Sequence, residues 1–275
     1  MLITITTDFG TRDGYVGTMK GVIAGIAPGV PCIDVTQEIP PQDVRSAAYV
    51  LWTALPYFPP ESIHVVVVDP GVGTARRPIA ARTPWGMLVG PDNGVFSYVW
   101  EAAPPERIVE LANPAYRNVA VSNTFHGRDI FSPAAAYLAR GVPLAELGPE
   151  VTDPVRLPTP IFSVTDTAIT GEVIYIDHFG NAITSIGRLV WEGALLSLDP
   201  AFGDAPSGII NAARVRVLVA GRDLGPVRRT YGEVSPGEPL ALVGSEGLLE
   251  LAVNHGNGAQ ALNLAIGAPV EIALR

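Results

Sequence analysis

The 275-residue chain carries 18 Lys and Arg against 27 Asp and Glu, a formal charge of −9, which leaves little cationic surface for the phosphates of nucleic acid. Apolar residues make up 48% and charged residues 16%, so a disordered chain is excluded: there is ample side chain to bury. No apolar run reaches the roughly 18 residues of a membrane helix, and Cys32, the only cysteine, excludes an intrachain disulfide and a cysteine-based zinc cluster.

Leu2–Ile5 is a short apolar run closing on Thr6-Thr7-Asp8-Phe9-Gly10 and predicts a first strand. No basic segment or cleavage site marks it as a signal peptide, which points to a cytoplasmic protein. Tyr15, Val16, Met19, Val22, Ile23 and Ile26 then fall on one helical face, and Ala27-Pro28-Gly29 stops that helix. Pro31–Val35 predicts a second strand and residues 43–57 a second helix. Ile63–Val68 is a continuous apolar run of the kind buried on both faces of a sheet. Arg107–Leu111 and Ile130–Arg140 continue the alternation. The order predicts an α/β N-terminal domain with a mainly parallel sheet flanked by helices.

Five prolines between 141 and 160 (Pro143, Pro149, Pro154, Pro158 and Pro160) interrupt this style and predict a linker. Beyond it, residues 172–176, 214–219, 240–243 and 270–274 are short β-rich runs parted by Gly-containing turns. They predict a smaller all-β domain, an antiparallel barrel or sandwich. The expected division is an α/β domain over 1–150, a linker over 151–162 and a β domain over 163–275.

In open α/β sheets, ligand chemistry gathers where strands end. Three polar segments sit at such positions: Thr7–Tyr15 after the first strand, Val68–Arg77 after the buried run, and Thr124–Asp129 before a helix. Each has a plain explanation alone. Asp8 and Asp13 suit a helix cap, Asp69-Pro70-Gly71 suits a turn, and His126 suits a satisfied core histidine. Their coincidence in one domain favours a site. Known nucleotide motifs do not fit: Gly71-Val72-Gly73-Thr74 lacks the Lys of a P-loop and the third Gly of a dinucleotide fingerprint. The histidines at 64, 126, 178 and 255 have no zinc-site spacing.

Taken in order, TDFGTRDGYVGTMKG, VVDPGVGTARR, FHGRDIF, IDHFGN and GSEGLLELAVN resemble the S-adenosyl-L-methionine hydroxide adenosyltransferases, relatives of the S-adenosylmethionine-dependent fluorinase and chlorinase. The likeness runs from about residue 3 to the C-terminus. It implies an α/β domain joined to a smaller β domain, a homotrimer with interfacial sites, and hydrolysis of S-adenosyl-L-methionine to adenosine and L-methionine. No cofactor or metal is implied.

Carried over residue by residue, the resemblance assigns Asp69, Arg76 and His126 to activating water, with Arg76 rather than Arg77 holding the nucleophile's negative charge. It gives Asp8 to the ribose hydroxyls, Asp13 and Asp177 to the methionine ammonium, and Asn181 to the adenine edge. Ser245 and residue 246 go to the methionine carboxylate, and Tyr231 to adenine stacking. The halogenases have Arg where this chain has Glu246, so only the backbone N–H there suits a carboxylate. They also have Tyr-Pro where this chain has Asp69-Pro70, and a fixed anion at 69 repels a halide. Hydrolysis is therefore the main expectation. A halogenase, or a protein that binds S-adenosylmethionine or adenosine without turnover, is the alternative.

Overall fold

The computed structural model describes residues 1–274, which divide into two compact units at Leu157/Pro158. In the N-terminal unit, β1 (Ile3–Thr7), α1 (Tyr15–Ile26), β2 (Cys32–Thr36), α2 (Val44–Ala54) and β3 (Ile63–Val67) follow the expected alternation. They continue into a hairpin of β4 (Pro78–Thr83) and β5 (Gly86–Pro91), then α3 (Ser97–Ala102), β6 (Arg107–Glu110) and α4 (Ser132–Ala139). The sequence reading did not anticipate the hairpin or α3.

Among the described residues, six strands form one sheet in the order β2-β1-β3-β5-β4-β6. The pairs β1–β2, β1–β3 and β3–β5 are parallel, while β4 runs antiparallel to both β5 and β6. Ile3, Ile5, Ile63, Val65 and Val67 face a core shared with Met19 and Ile23 of α1 and Phe131 to Leu138 around α4. The alternate residues Thr4, Thr6, His64 and Val66 are equally inaccessible, so the other face is covered too, with Phe96 against Val66 and Gly90. The α1 cap is Gly14, with no side-chain hydrogen bond, so neither Asp8 nor Asp13 caps that helix. On α2, Asp43 does cap, accepting from the Ser46 N–H at 2.9 Å.

The proline-rich stretch does not run free as a linker. Asp153 pairs with Arg77, the Val155 N–H donates to Asp92 at 2.8 Å, and the Leu157 N–H donates to Ser97 Oγ at 2.8 Å. Proline removes sheet and helix as options but leaves the remaining N–H groups to find side-chain acceptors.

The C-terminal unit holds β7 (Phe162–Val164), β8 (Ala168–Ile176), β9 (Ala182–Thr184), β10 (Leu189–Glu192), β11 (Leu195–Leu198), β12 (Gly208–Asn211) and β13 (Arg216–Val219). It continues with β14 (Arg222–Asp223), β15 (Val227–Arg228), β16 (Pro239–Val243), β17 (Leu249–Val253), α5 (Gly258–Leu262) and β18 (Pro269–Ala273). The main sheet runs β14-β13-β18-β8-β9-β17-β16-β15 with β7 beside β8, and β10-β11-β12 form a separate small sheet. β8 pairs with β18 up to Glu172 and with β9 beyond it, with a register irregularity between Val173 and Tyr175, so the sheet curls there. Its end strands β14 and β15 do not pair with each other, which makes it an open curled sheet. The pairings are antiparallel except β15–β16. The all-β expectation missed α5, five residues capped by Asn257 and too short to show a helical period. Among the described residues, no helix is long and apolar enough to cross a membrane.

His64 on β3 has both ring nitrogens used, Nδ1 with the Thr4 hydroxyl at 2.8 Å and Nε2 with the Trp85 carbonyl at 3.2 Å. The carbonyl can only accept, so Nε2 carries the proton and Nδ1 accepts from Thr4. Burial pulls its pKa down to about 4, partly opposed by the bond to Trp85. The unfolded chain therefore takes a proton that the native state refuses. Stability should be full above pH ~6.5 and fall by up to about 3 kcal/mol as pH drops towards 4. Urea unfolding from pH 4 to 8 should show this step in the wild type and lose it in His64→Gln.

Candidate active site

Chain order and sheet order part company at β1: the chain leaves it for β2 on one side and then returns to β3 on the other. Between the C-terminal ends of β1 and β3 the loops diverge, and a crevice is left where open α/β sheets bind ligands. A cavity of about 410 Å³ lies there, lined by the β1 end (Asp8, Phe9), the start of α1 (Tyr15), Pro41 and Gln42, the β3 end (Val67, Asp69, Pro70, Val72) and Thr124–Gly127. Two carboxylates line it, and no Lys or Arg does.

Asp69 and His126 are brought together by Arg76. The Arg76 Nε donates to Asp69 Oδ1 at 3.1 Å, its Nη2 donates to Oδ2, and the same Nη2 donates to His126 Nδ1 at 3.1 Å. The pair is deeply buried, with the Arg76 and Asp69 side chains 7% and 4% exposed. Asp69 and His126 line the cavity, whereas Arg76 stands behind them with Nε and Nη2 committed and Nη1 buried without a hydrogen-bond partner among the described residues. Burial pushes the Asp69 carboxyl above its ordinary range, with the Arg76 charge pulling the other way. Burial and then Arg76 hold the His126 imidazole below its ordinary range.

The direction of one hydrogen bond fixes the histidine. A guanidinium has no acceptor, so His126 Nδ1 must supply the lone pair and the neutral ring carries its proton on Nε2. Unlike His64, His126 makes no second hydrogen bond among the described residues, so its Nε2–H remains available. The core-histidine explanation fits His64 and fails for His126.

Two loops hold this set. Asp69-Pro70-Gly71 turns with the Val72 N–H on the Asp69 carbonyl at 3.2 Å, and Thr74 returns its N–H and hydroxyl to the Gly71 carbonyl. Gly73, at φ +75°, lets this loop touch the other one: a Cβ there would stand 2.3 Å from the Asn123 carbonyl. The second loop enters α4 through a π-turn over Gly127–Phe131, in which the Ser132 N–H reaches the Gly127 carbonyl. Asp129 anchors it, accepting from Asn118 Nδ2 at 3.0 Å, the Ser122 N–H at 2.9 Å and Arg128 Nε at 2.7 Å. Although burial opposes it, the Arg128, Ser122 and Asn118 bonds hold its pKa down to about 2.

Asp8 lines the same cavity and its Oδ2 accepts from the Gln42 N–H at 2.8 Å, clasping a residue held at φ +67°. Asp13 is exposed and lies outside the cavity lining. Arg77 turns away from the cavity to Asp92 and Asp153.

In the C-terminal unit, Asp177, Asn181 and Tyr231 come together. Asp177 Oδ1 accepts from the N–H groups of Phe179 and Asn181 at 2.9 and 2.8 Å, and Oδ2 accepts from Asn181 Nδ2 at 2.9 Å. The carboxylate thus builds its own turn, and the amide is oriented with its donor used. Tyr231 lies 3.5 Å from that amide and donates to Glu250, which the sequence reading did not include. Glu250 also packs against Gly244, next to Ser245 and Glu246, whose side chains meet at 3.4 Å. Gln42, Phe9, Tyr15, Phe125 and Asp129 were likewise missed as site residues. The aromatic ones flank or follow residues already singled out, while nothing in the sequence marks Gln42. Among the described residues, no group of three or more His, Cys, Asp and Glu side chains is arranged to hold a metal ion.

Residues 3–148 match the family model of the SAM hydroxide adenosyltransferase N-terminal domain, and residues 171–271 match that of its C-terminal domain. A Thermus thermophilus protein named (R)-S-adenosyl-L-methionine hydrolase is 45% identical over 273 residues, 97% of each chain. A fluorinase from an Actinoplanes species is 29% identical over 302 residues, covering 98% of this chain and 97% of its own. The crystal structure of a conserved protein from Thermotoga maritima matches with a TM-score of 0.85 at 35% identity, over 98% of this chain and 99% of that one.

Removing Arg76 while keeping Asp69 leaves a buried carboxylate unpaired. Arg76→Met should therefore cost about 3–5 kcal/mol in denaturant unfolding, and the double variant Asp69→Asn/Arg76→Met should recover most of it. A double variant as unstable as the single one would show that packing of the arginine stem, not the charge, is what counts.

Proposed function

The chain belongs to the SAM hydroxide adenosyltransferase family, and from that premise we propose that it hydrolyses S-adenosyl-L-methionine at ribose C5′, giving adenosine and L-methionine. The observation that carries this reading is the Asp69–Arg76–His126 set, bonded in series at the edge of a cavity lined by carboxylates. A cavity of that charge suits a cationic ligand and repels a resident halide, which favours water as the nucleophile over the halogenase alternative. A protein that only bound its ligand would have no use for a buried, charge-assisted set of this kind. The Thermus relative's name specifies the (R) form; since L fixes the α-carbon, R names the sulfur centre, and we extend that preference to this chain.

In the reaction, the water oxygen attacks C5′ and the C5′–S bond breaks with its electron pair going to sulfur. The sulfonium becomes the neutral thioether of methionine, so the leaving group needs no acid. One proton must leave the water. Asp69 takes it, because Arg76 occupies only two of the carboxylate's lone-pair sites and burial has raised its affinity for a proton. His126 donates from Nε2 to orient the water oxygen, since Arg76 holds the opposite nitrogen as an acceptor. Arg76 is then a positioning residue for both partners rather than the holder of the nucleophile's charge. The reaction so written needs no cofactor.

Asp8 receives the ribose hydroxyls. In our reading the N-terminal domain (1–150) supplies the chemistry and the C-terminal domain (163–275) supplies substrate contacts, in a cytoplasmic homotrimer whose neighbouring subunit completes each site. Asp13 and Asp177 take the methionine ammonium, and Ser245 with the Glu246 N–H takes the carboxylate. Asn181 offers its free Oδ1 to the adenine amine, and Tyr231 stacks on the base.

Incubation with S-adenosylmethionine in ¹⁸O-water, with and without chloride, tests the reaction. Labelled adenosine and methionine, indifferent to chloride, are expected; a 5′-halo nucleoside would transfer the chain to the halogenases. Asp69→Asn should lower kcat by about 10²–10⁴-fold with little change in substrate affinity. In the wild type, kcat/KM should rise with pH through a pKa above the ordinary carboxylate range and stay level across neutrality, where His126 is already neutral. A limb that persists unchanged in Asp69→Asn would assign the proton elsewhere.

A further inference from the structure

Phe9, Tyr15 and Phe125 all line the cavity. Their ring centroids lie 5.6 Å (Phe9–Tyr15), 6.0 Å (Phe9–Phe125) and 5.3 Å (Tyr15–Phe125) apart, with planes inclined at 57°, 74° and 86°. Rings tilted to one another by such angles make a corner. A flat purine is sandwiched by near-parallel faces, which this corner does not offer. What it does offer is a compact aromatic recess at the cavity wall, in which π-faces can meet an onium ion as they do in aromatic cages.

The substrate proposed above carries such an ion. Its sulfonium has a permanent positive charge, a methyl group and no N–H or O–H, so the protein can accept no conventional hydrogen bond from it. Negative charge and π-faces are the stronger ways to recognise it. We propose that Phe9, Tyr15 and Phe125 form the subsite for the sulfonium and its methyl group, and that they select the charged sulfonium over the neutral thioether. The proposal rests on reading this cavity as the S-adenosylmethionine site.

Chain position supports it. Phe9 follows Asp8 and Phe125 precedes His126, so the corner is tied to the residues given to the ribose and to the attacking water, and the sulfur is one bond from C5′. The Arg128 guanidinium lies 5.1 Å from the Phe125 centroid with its charge matched by Asp129, so it brings no net charge to the corner. Core packing accounts for Phe9 and Phe125, which rest against the α1–α4 core, but not for Tyr15, which is 49% exposed. The device also has a direction. Cleavage turns sulfur from cation to thioether, so the corner holds the substrate and releases the product.

The test compares equilibrium binding of S-adenosylmethionine and S-adenosylhomocysteine, its neutral thioether counterpart, in the wild type, Phe9→Leu, Tyr15→Leu and Phe125→Leu, alongside turnover. Each variant should lose about three- to thirtyfold in affinity for the sulfonium, seen in KM more than in kcat, while thioether binding changes less than about twofold. Retained thioether binding also reports a folded site, and half-exposed Tyr15 can be replaced without opening the core. Parallel loss of both ligands, or no loss of either, would overturn the proposal and leave the rings as an apolar wall. A wild type that makes no adenosine would instead remove the hydrolase reading. The sulfonium-to-thioether preference would still be measured by binding, and its insensitivity to the three substitutions would count against the corner.

Discussion

A carboxylate and a guanidinium removed from water together set the constraint around which the cavity wall of the N-terminal unit is built. The Asp69 and Arg76 side chains are each less than a tenth exposed, and attraction offsets the desolvation of such a pair only where its geometry is held. The surrounding structure holds that geometry, while Arg76 Nη1 stays buried without a hydrogen-bond partner among the described residues. The Asp-Pro-Gly turn sets the carboxylate at the end of β3, Gly73 brings the adjoining loop within contact distance, and His126 accepts the second bond from Nη2. The π-turn and the Asp129 anchor then fix where His126 stands.

Two histidines of one domain show how little separates a ring spent on the core from one left open at a cavity wall. His64 and His126 both meet a group that decides their tautomer, and both are held neutral by burial. His64 spends its second nitrogen on the Trp85 carbonyl, and its ring becomes part of the core. His126 leaves that nitrogen at a cavity wall. The residue type is the same, and the difference is a single unspent hydrogen bond.

Much of this was legible in the sequence because it is written in periodicity and turn chemistry. The buried run at 63–68, the helical face from Tyr15 to Ile26 and the β-rich runs after residue 170 correspond to β3, α1, β8, β13, β16 and β18. Asp8, Asp69 and His126, which line one cavity, could be singled out because polar residues at strand ends stand out against apolar surroundings. The β4–β5 hairpin was not found, since its Pro-Trp-Gly corner interrupts any simple alternation. Nor was Gln42, whose left-handed backbone depends on a contact with Asp8 some 34 positions away. Arg76 was found, but its orientation was not: spacing says that an arginine is near, and only coordinates say that it stands behind the carboxylate. Asp129, in a motif already noticed, had no signal to separate an anchor from a surface charge.

The contact between Gly73 and the Asn123 carbonyl joins two loops that are fifty residues apart in the chain and owe their shapes to each other. Neither is a free module. An insertion on one side would slide its backbone off the other and part Asp69 from His126, even with every side chain of the set present. Transplanting this chemistry between relatives, or breeding new reactivity into it, therefore means exchanging the two loops as a matched set, and libraries that vary one alone will mostly sample broken sites.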